Sequence, residues 1–216
     1  MSTRKGTAET VERIAAERII ATLRGFSPSE VTDIARVLVD QRIRIIEVTL
    51  DSPDAIASID RLSDELGAKA LVGAGTVLDG AEADAAIEAG ARFCVSPVTL
   101  PEVIERCVSR DVLAVPGALS PSEIFNAWRA GAAMVKVFPG RVGGPGYIRD
   151  LRGPLPEIPL VVTGGVDAGN AGEFLLAGAA AVGIGSSLVS PATFVSGEVA
   201  QLAESARSLR QGIQMS

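Results

Sequence analysis

The apolar positions along the chain fall into short runs, at residues 19–23, 43–50, 70–74, 91–95, 112–115, 133–138, 160–163 and 180–184. Each run has the length of a strand, ends near a cluster of Gly, Pro, Ser or Thr, and precedes a segment with helical apolar spacing. The residues at their carboxyl ends, Arg24, Glu47, Thr76, Ser96, Pro116, Lys136, Thr163 and Gly185, stand 20 to 29 positions apart. That interval fits one strand plus one helix. The phrases Glu88-Ala-Gly-Ala, Arg129-Ala-Gly-Ala and Leu176-Ala-Gly-Ala repeat the same punctuation, a glycine closing a helix before the next strand. Ser27, Ser52 and Ser120, each followed by Pro, read as helix N-caps.

Strict alternation of strand and helix predicts a mostly parallel sheet, and eight units predict an α/β fold of the (β/α)8 TIM-barrel type. A doubly wound open sheet is the competing architecture, but no GxGxxG follows the first strand. The first 18 residues are predicted to form an extra N-terminal helix outside the eight units, and residues 191–214 a closing helix. The whole chain, 1–216, reads as a single barrel domain, since no linker-like shift in composition divides it.

Charge and composition narrow the chemistry. The net charge of −6 and the lack of clustered Lys and Arg argue against a nucleic-acid or anionic-membrane partner, so any bound phosphate has to be met locally. The apolar runs are too short to cross a bilayer, and the polar opening residues 1–12 lack the apolar core of a signal peptide, which predicts a cytoplasmic protein. The chain contains no histidine, which excludes His-based triads and His-ligated metals; no metal and no cofactor are expected. Cys94 and Cys107 have neither CxxC spacing nor a disulfide framework and read as core thiols.

In a TIM barrel the carboxyl ends of the strands carry the chemistry. Lys136, inside Met134-Val-Lys-Val-Phe-Pro139, would lose hydration if it pointed into the barrel and become a nucleophilic amine; pointing outward, it would be a snorkelling surface lysine. Glu47, inside Ile45-Ile-Glu-Val-Thr-Leu50, is either a proton-transfer group within reach of Lys136 or half of an inert ion pair with it. Arg24 is a candidate for a substrate carboxylate, or else a rim arginine bridging to a loop acid. Gly73-Ala-Gly-Thr-Val77 offers the hydroxyl of Thr76 beside glycines. Thr163-Gly-Gly-Val166 and Gly183-Ile-Gly-Ser-Ser187 end adjacent strands, where exposed amides form either a phosphate cradle or plain turns. Phe125, Trp128 and Tyr147 fall in helical segments and are expected to pack against the barrel or another subunit.

Taken together and in this order, Glu47-Val-Thr-Leu50, Gly73-Ala-Gly-Thr-Val77, Val135-Lys-Val-Phe-Pro139 and Thr163-Gly-Gly-Val166 resemble the 2-keto-3-deoxy-6-phosphogluconate (KDPG/KHG) aldolase family, from about Arg18 to Val189. The resemblance implies a metal-free class I aldolase, usually a homotrimer, that splits a phosphorylated keto sugar acid into pyruvate and glyceraldehyde 3-phosphate. It further implies Lys136 as the Schiff-base lysine and Glu47 as general acid/base. Thr76 would bind the pyruvate carboxylate, and Pro97 and Phe138 would wall the pyruvyl pocket. Thr163, Gly164, Gly165, Gly185 and Ser186 would bind substrate, the last four around its phosphate.

One departure shifts the resemblance toward a branch of the family. Gluconate-type members commonly carry Arg after Glu-Val-Thr-Leu, whereas this chain has Asp51. Leu23-Arg-Gly25, Leu50-Asp-Ser-Pro53 and Gly144-Pro-Gly-Tyr-Ile148 look instead like the 2-keto-3-deoxy-6-phosphogalactonate branch, which implies that Arg24 takes the carboxylate. Arg141, after Phe138-Pro-Gly140, stands where family members carry other residues and has no role implied by the resemblance. Two other readings compete: a phosphate-binding barrel isomerase or synthase that forms no imine, and a non-catalytic barrel scaffold with an inert Glu47-Lys136 pair.

Overall fold

A computed structural model of the protein describes residues 5–194 and 199–214. The strands are β1 (Ile19–Leu23), β2 (Ile45–Thr49), β3 (Leu71–Gly75), β4 (Phe93–Val95), β5 (Leu113–Val115), β6 (Gly117–Ala118), β7 (Val135–Val137), β8 (Leu160–Thr163) and β9 (Ala181–Ile184). Their order in the sheet is β5-β4-β3-β2-β1-β9-β8-β7-β6, with parallel pairing throughout. Since β5 and β6 are separated only by Pro116, the two ends of that order meet and the sheet wraps into a TIM barrel. The ninth strand is β6, two residues just beyond Pro116 that the predicted fifth strand, 112–115, does not include. Proline has no N–H to give a ladder, but the Pro116 carbonyl still accepts from the Lys136 amide (2.9 Å) and ties the break to β7.

The helices are α1 (Lys5–Glu17), α2 (Pro28–Asp40), α3 (Ala55–Leu66), α4 (Gly80–Glu88), α5 (Pro101–Ser109), α6 (Pro121–Arg129), α7 (Gly144–Arg152), α8 (Ala171–Leu176) and α9 (Val199–Gln214). Alternation along the strands divides the interior in two. Outward-facing residues such as Ala21, Ile46, Val72, Cys94, Val135, Val162 and Val182 pack against the helices. Inward-facing Ile20, Ile45, Leu71, Phe93, Leu113, Met134, Val161 and Ala181 fill the barrel. Ile14 of α1 joins this inner cluster, so the extra N-terminal helix plugs the end of the barrel remote from the strand carboxyl ends. In the first turn of α1 the amides of Gly6 and Thr7 donate to the Asp111 carboxylate, at 2.9 and 3.0 Å.

The repeated helix-closing glycines Gly90, Gly131 and Gly178 all adopt left-handed φ, of 94°, 115° and 105°. Ser27 and Ser120 do precede α2 and α6, but Ser52 is not a helix cap: α3 starts after Asp54. Ser52 lies buried instead, accepting from the Gly25 amide (2.8 Å) and sharing a hydroxyl contact with Thr49 (3.0 Å), so it fastens the loop after β2 to the loop after β1. The closing helix is seen as α9, while residues 195–198 of the predicted span lie outside the described residues. Cys94 and Cys107 are both fully buried, and the hydrogen bond between them, with burial, pushes the Cys94 thiol well up. Trp128 and Tyr147 pack on the core, as expected, whereas Phe125 stays exposed against Trp128.

Candidate active site

Register decides which side chains enter the barrel above its apolar filling. Thr22 and Glu47 are paired across β1 and β2, Glu47 and Gly73 across β2 and β3, Lys136 and Val161 across β7 and β8, and Thr163 and Gly183 across β8 and β9. In each strand these residues share the face of the inner cluster, one pleat nearer the carboxyl end than Ile20, Ile45, Met134 or Ala181. Lys136 therefore points inward, with 9% of its surface exposed, and Glu47 is 3% exposed. The outward, snorkelling placement of Lys136 is ruled out.

Glycine makes the room these charges need. A Cβ on Gly75 would collide with the Glu47 carboxylate, and one on Gly73 would lie 2.5 Å from the ring of Phe93, which forms the floor. A Cβ on Gly183 would lie 2.5 Å from Cγ2 of Thr163, and one on Gly117 would strike the Pro97 carbonyl. Sequence pattern alone does not single out Gly75 or Thr22. Thr22 donates to Glu47 Oε2 at 3.3 Å and helps aim the carboxylate.

Burial shifts both groups of this pair toward their uncharged forms. Burial lowers the Lys136 pKa from the ordinary lysine value; the Glu47 charge opposes that shift and Arg24 adds to it. Burial likewise raises the Glu47 pKa, against the pull of Lys136, the Thr22 hydrogen bond and Arg24. The two groups feel each other, yet they make no direct ion pair within 4.0 Å among the described residues. The Phe138 ring lies 4.9 Å from Lys136 Nζ and is partly exposed, forming a wall at the mouth.

Around the rim, Arg24 Nη2 donates to Thr76 Oγ1 at 2.9 Å, and Nη1 pairs with Asp51. The structure brings both carboxylate-binding candidates together, and it also realises the alternative of a rim arginine bridged to a loop acid. Thr76 holds a left-handed φ of 57°, unusual for a β-branched residue, which fixes its hydroxyl at this corner. Pro97 lies over the break between β5 and β6, next to Gly117.

On the far side of the mouth, Gly164 and Gly165 have φ of 85° and 86° and follow Thr163, whose buried hydroxyl has no hydrogen-bond partner among the described residues. Gly185 and Ser186 follow the adjacent strand, β9. The amides of Gly165 and Ser186 donate to no backbone group among the described residues. Ser187 was not singled out by sequence; it donates to the Val166 carbonyl at 2.8 Å and locks the two glycine-rich ends together. The arrangement can hold an anion at this side, a carboxylate at the other, and a carbonyl carbon between them beside the Lys136 amine.

Comparison with known proteins agrees with this geometry. The 2-dehydro-3-deoxy-6-phosphogalactonate aldolase of Escherichia coli (strain K12) is 36% identical over 197 residues, covering 91% of this chain and 96% of that protein. The solved structure described as native KDPGal superposes with a TM-score of 0.85 at 34% identity, covering 91% of this chain and 94% of that one. KDPG aldolase from Legionella pneumophila, solved with pyruvate captured at low pH as a covalent carbinolamine intermediate, superposes with a TM-score of 0.78 at 27% identity, covering 99% and 98%. The family model of the KDPG and KHG aldolases matches residues 11–205, so the chain belongs to that aldolase family.

Proposed function

We propose that the protein is a class I aldolase that reversibly cleaves a 2-keto-3-deoxy-6-phospho sugar acid, of galactonate or gluconate type, to pyruvate and D-glyceraldehyde 3-phosphate. The observation that carries this reading is a desolvated lysine inside the barrel, facing a buried glutamate without being locked to it. The neutral Lys136 amine adds to the C2 ketone, giving a carbinolamine that loses water to become a protonated imine. Glu47 moves the protons. A base then removes the C4 hydroxyl proton, the C3–C4 bond breaks, and its electron pair flows into the imine to leave an enamine and the aldehyde. Protonation at C3 and hydrolysis of the imine release pyruvate and free Lys136.

Arg24 and Thr76 take the substrate carboxylate, with Asp51 orienting the guanidinium. Pro97 and Phe138 wall the pyruvyl group. The unsatisfied Thr163 hydroxyl receives a substrate oxygen, and Gly164, Gly165, Gly185 and Ser186 cradle the phosphate. Two further proposals rest on the family likeness and the composition: the assembly is a homotrimer, and the protein works in the cytoplasm. Among the described residues no helix is long and apolar enough to cross a membrane.

Borohydride reduction in the presence of pyruvate, followed by intact mass and peptide mapping, tests the mechanism. A single reduced adduct on Lys136, absent from Lys136→Ala, is the expected result. Folded, active enzyme that traps no pyruvate would overturn it and leave a barrel isomerase or synthase without an imine.

A further inference from the structure

Beside the phosphate cradle stands a residue to which the mechanism gives no work. Arg141 lies in the short 3-10 turn Gly140–Val142 that follows β7, and its amide donates to the Gly164 carbonyl at 2.9 Å. A Cβ built on Gly165 would lie 2.6 Å from Arg141 Cβ and 3.5 Å from both Cγ and Cδ. The aliphatic stem of the arginine therefore runs across Gly165, and the missing side chain at that position lets it lie there. Backbone and stem together register the side chain to the cradle.

Charge explains what it does there. The chain carries a net charge of −6, and a phosphate is a multiply charged anion that has to find cations locally. Of the cations at the barrel mouth, Lys136 is consumed in the imine and Arg24 is compensated by Asp51. The exposed Arg141 guanidinium makes no hydrogen bond or ion pair among the described residues. Its planar fork suits two phosphate oxygens, a geometry an ammonium group does not offer.

We infer that Arg141 is a specificity residue for the phosphate: its guanidinium closes over the group held by Gly164, Gly165, Gly185 and Ser186, and selects phosphorylated over unphosphorylated sugar acids. The inference rests on the proposed aldolase reading and deepens it. No bond is made or broken by this side chain, so its effect falls on substrate binding and not on the imine.

The test measures kcat and KM for wild type, Arg141→Gln and Arg141→Lys on the 6-phosphorylated acid and on its dephosphorylated counterpart, with inorganic phosphate as a competing probe. In Arg141→Gln, kcat/KM for the phosphorylated acid should fall by about 10- to 100-fold, mainly through KM, as expected for one charge-assisted pair. The preference for the phosphorylated acid should collapse with it, inhibition by phosphate should weaken, and Arg141→Lys should restore part of each. An unchanged preference overturns the role of Arg141 while leaving the aldolase intact. Equal losses on both acids, or lost trapping of pyruvate, make Arg141 structural and likewise overturn it. Wild-type enzyme that neither prefers the phosphorylated acid nor is inhibited by phosphate removes the phosphate site itself.

Discussion

At the scale of single residues, the site works by keeping two charges close and unpaired. Burial alone would drive Lys136 toward the free amine, and the Glu47 carboxylate holds part of that shift back. Replacing Glu47 by Gln removes the opposing charge, so the Lys136 pKa falls further and the neutral, nucleophilic form persists to lower pH. The pH dependence of pyruvate trapping in Glu47→Gln should accordingly move to lower pH. Proton exchange at the pyruvate methyl should drop by about 10²- to 10⁴-fold, the usual contribution of one positioned acid/base group. Exchange at the wild-type rate would remove Glu47 from proton transfer, and a trapping profile moved to higher pH would contradict the electrostatic account. Both residues were legible in the sequence, because a charge inside an apolar run is costly and asks for a reason. Thr22 and Gly75 were not: a threonine suits any strand, and Gly75 acquires meaning only from the carboxylate that occupies its missing side chain.

At the scale of elements, local chemistry marks some boundaries and misleads at others. Ser120 heads α6 with a reciprocal cap: its amide donates to the Glu123 carboxylate (2.7 Å) and its hydroxyl accepts from the Glu123 amide (3.3 Å). Ser120→Ala should cost about 1 kcal/mol and lower Tm by about 2–4 °C, whereas Ser120→Thr, which keeps the capping hydroxyl, should lose little of it. A calorimetric Tm unchanged in the alanine variant would show that α6 is held by packing alone. Ser52 carries the same Ser-Pro signal, yet it is pulled into the core to join two loops, because tertiary hydrogen bonds to Gly25 and Thr49 compete with the cap. Pro116 illustrates the converse: the apolar run 112–115 ends before it, yet the chain resumes pairing at β6 just beyond, and the barrel closes across the proline, which has no N–H for the ladder.

At the scale of the whole molecule, the sheet wraps into a barrel across Pro116, plugged at one end by α1 and open at the other to the site. A single domain built this way should unfold by heat in one transition, with far-UV and near-UV signals coincident. Sedimentation equilibrium of the native protein should return three times the chain mass of 22.2 kDa. Separated transitions would divide the domain, and a monomeric mass would remove the trimer. The sequence by itself determined the alternation of strands and helices, their number apart from the short β6, the end of the strands that carries chemistry, and the charged pair Glu47 and Lys136. Those features are written in local periodicity and in the cost of burying charge, which neighbouring residues express without help. Only the tertiary structure decided that Lys136 points inward, that Arg24 meets Asp51 and Thr76, that Gly75 makes space for Glu47, and that Arg141 lies across Gly165. These depend on strand register and on loops meeting across the barrel mouth. A one-residue slip of register would turn every side chain of a strand to its opposite face.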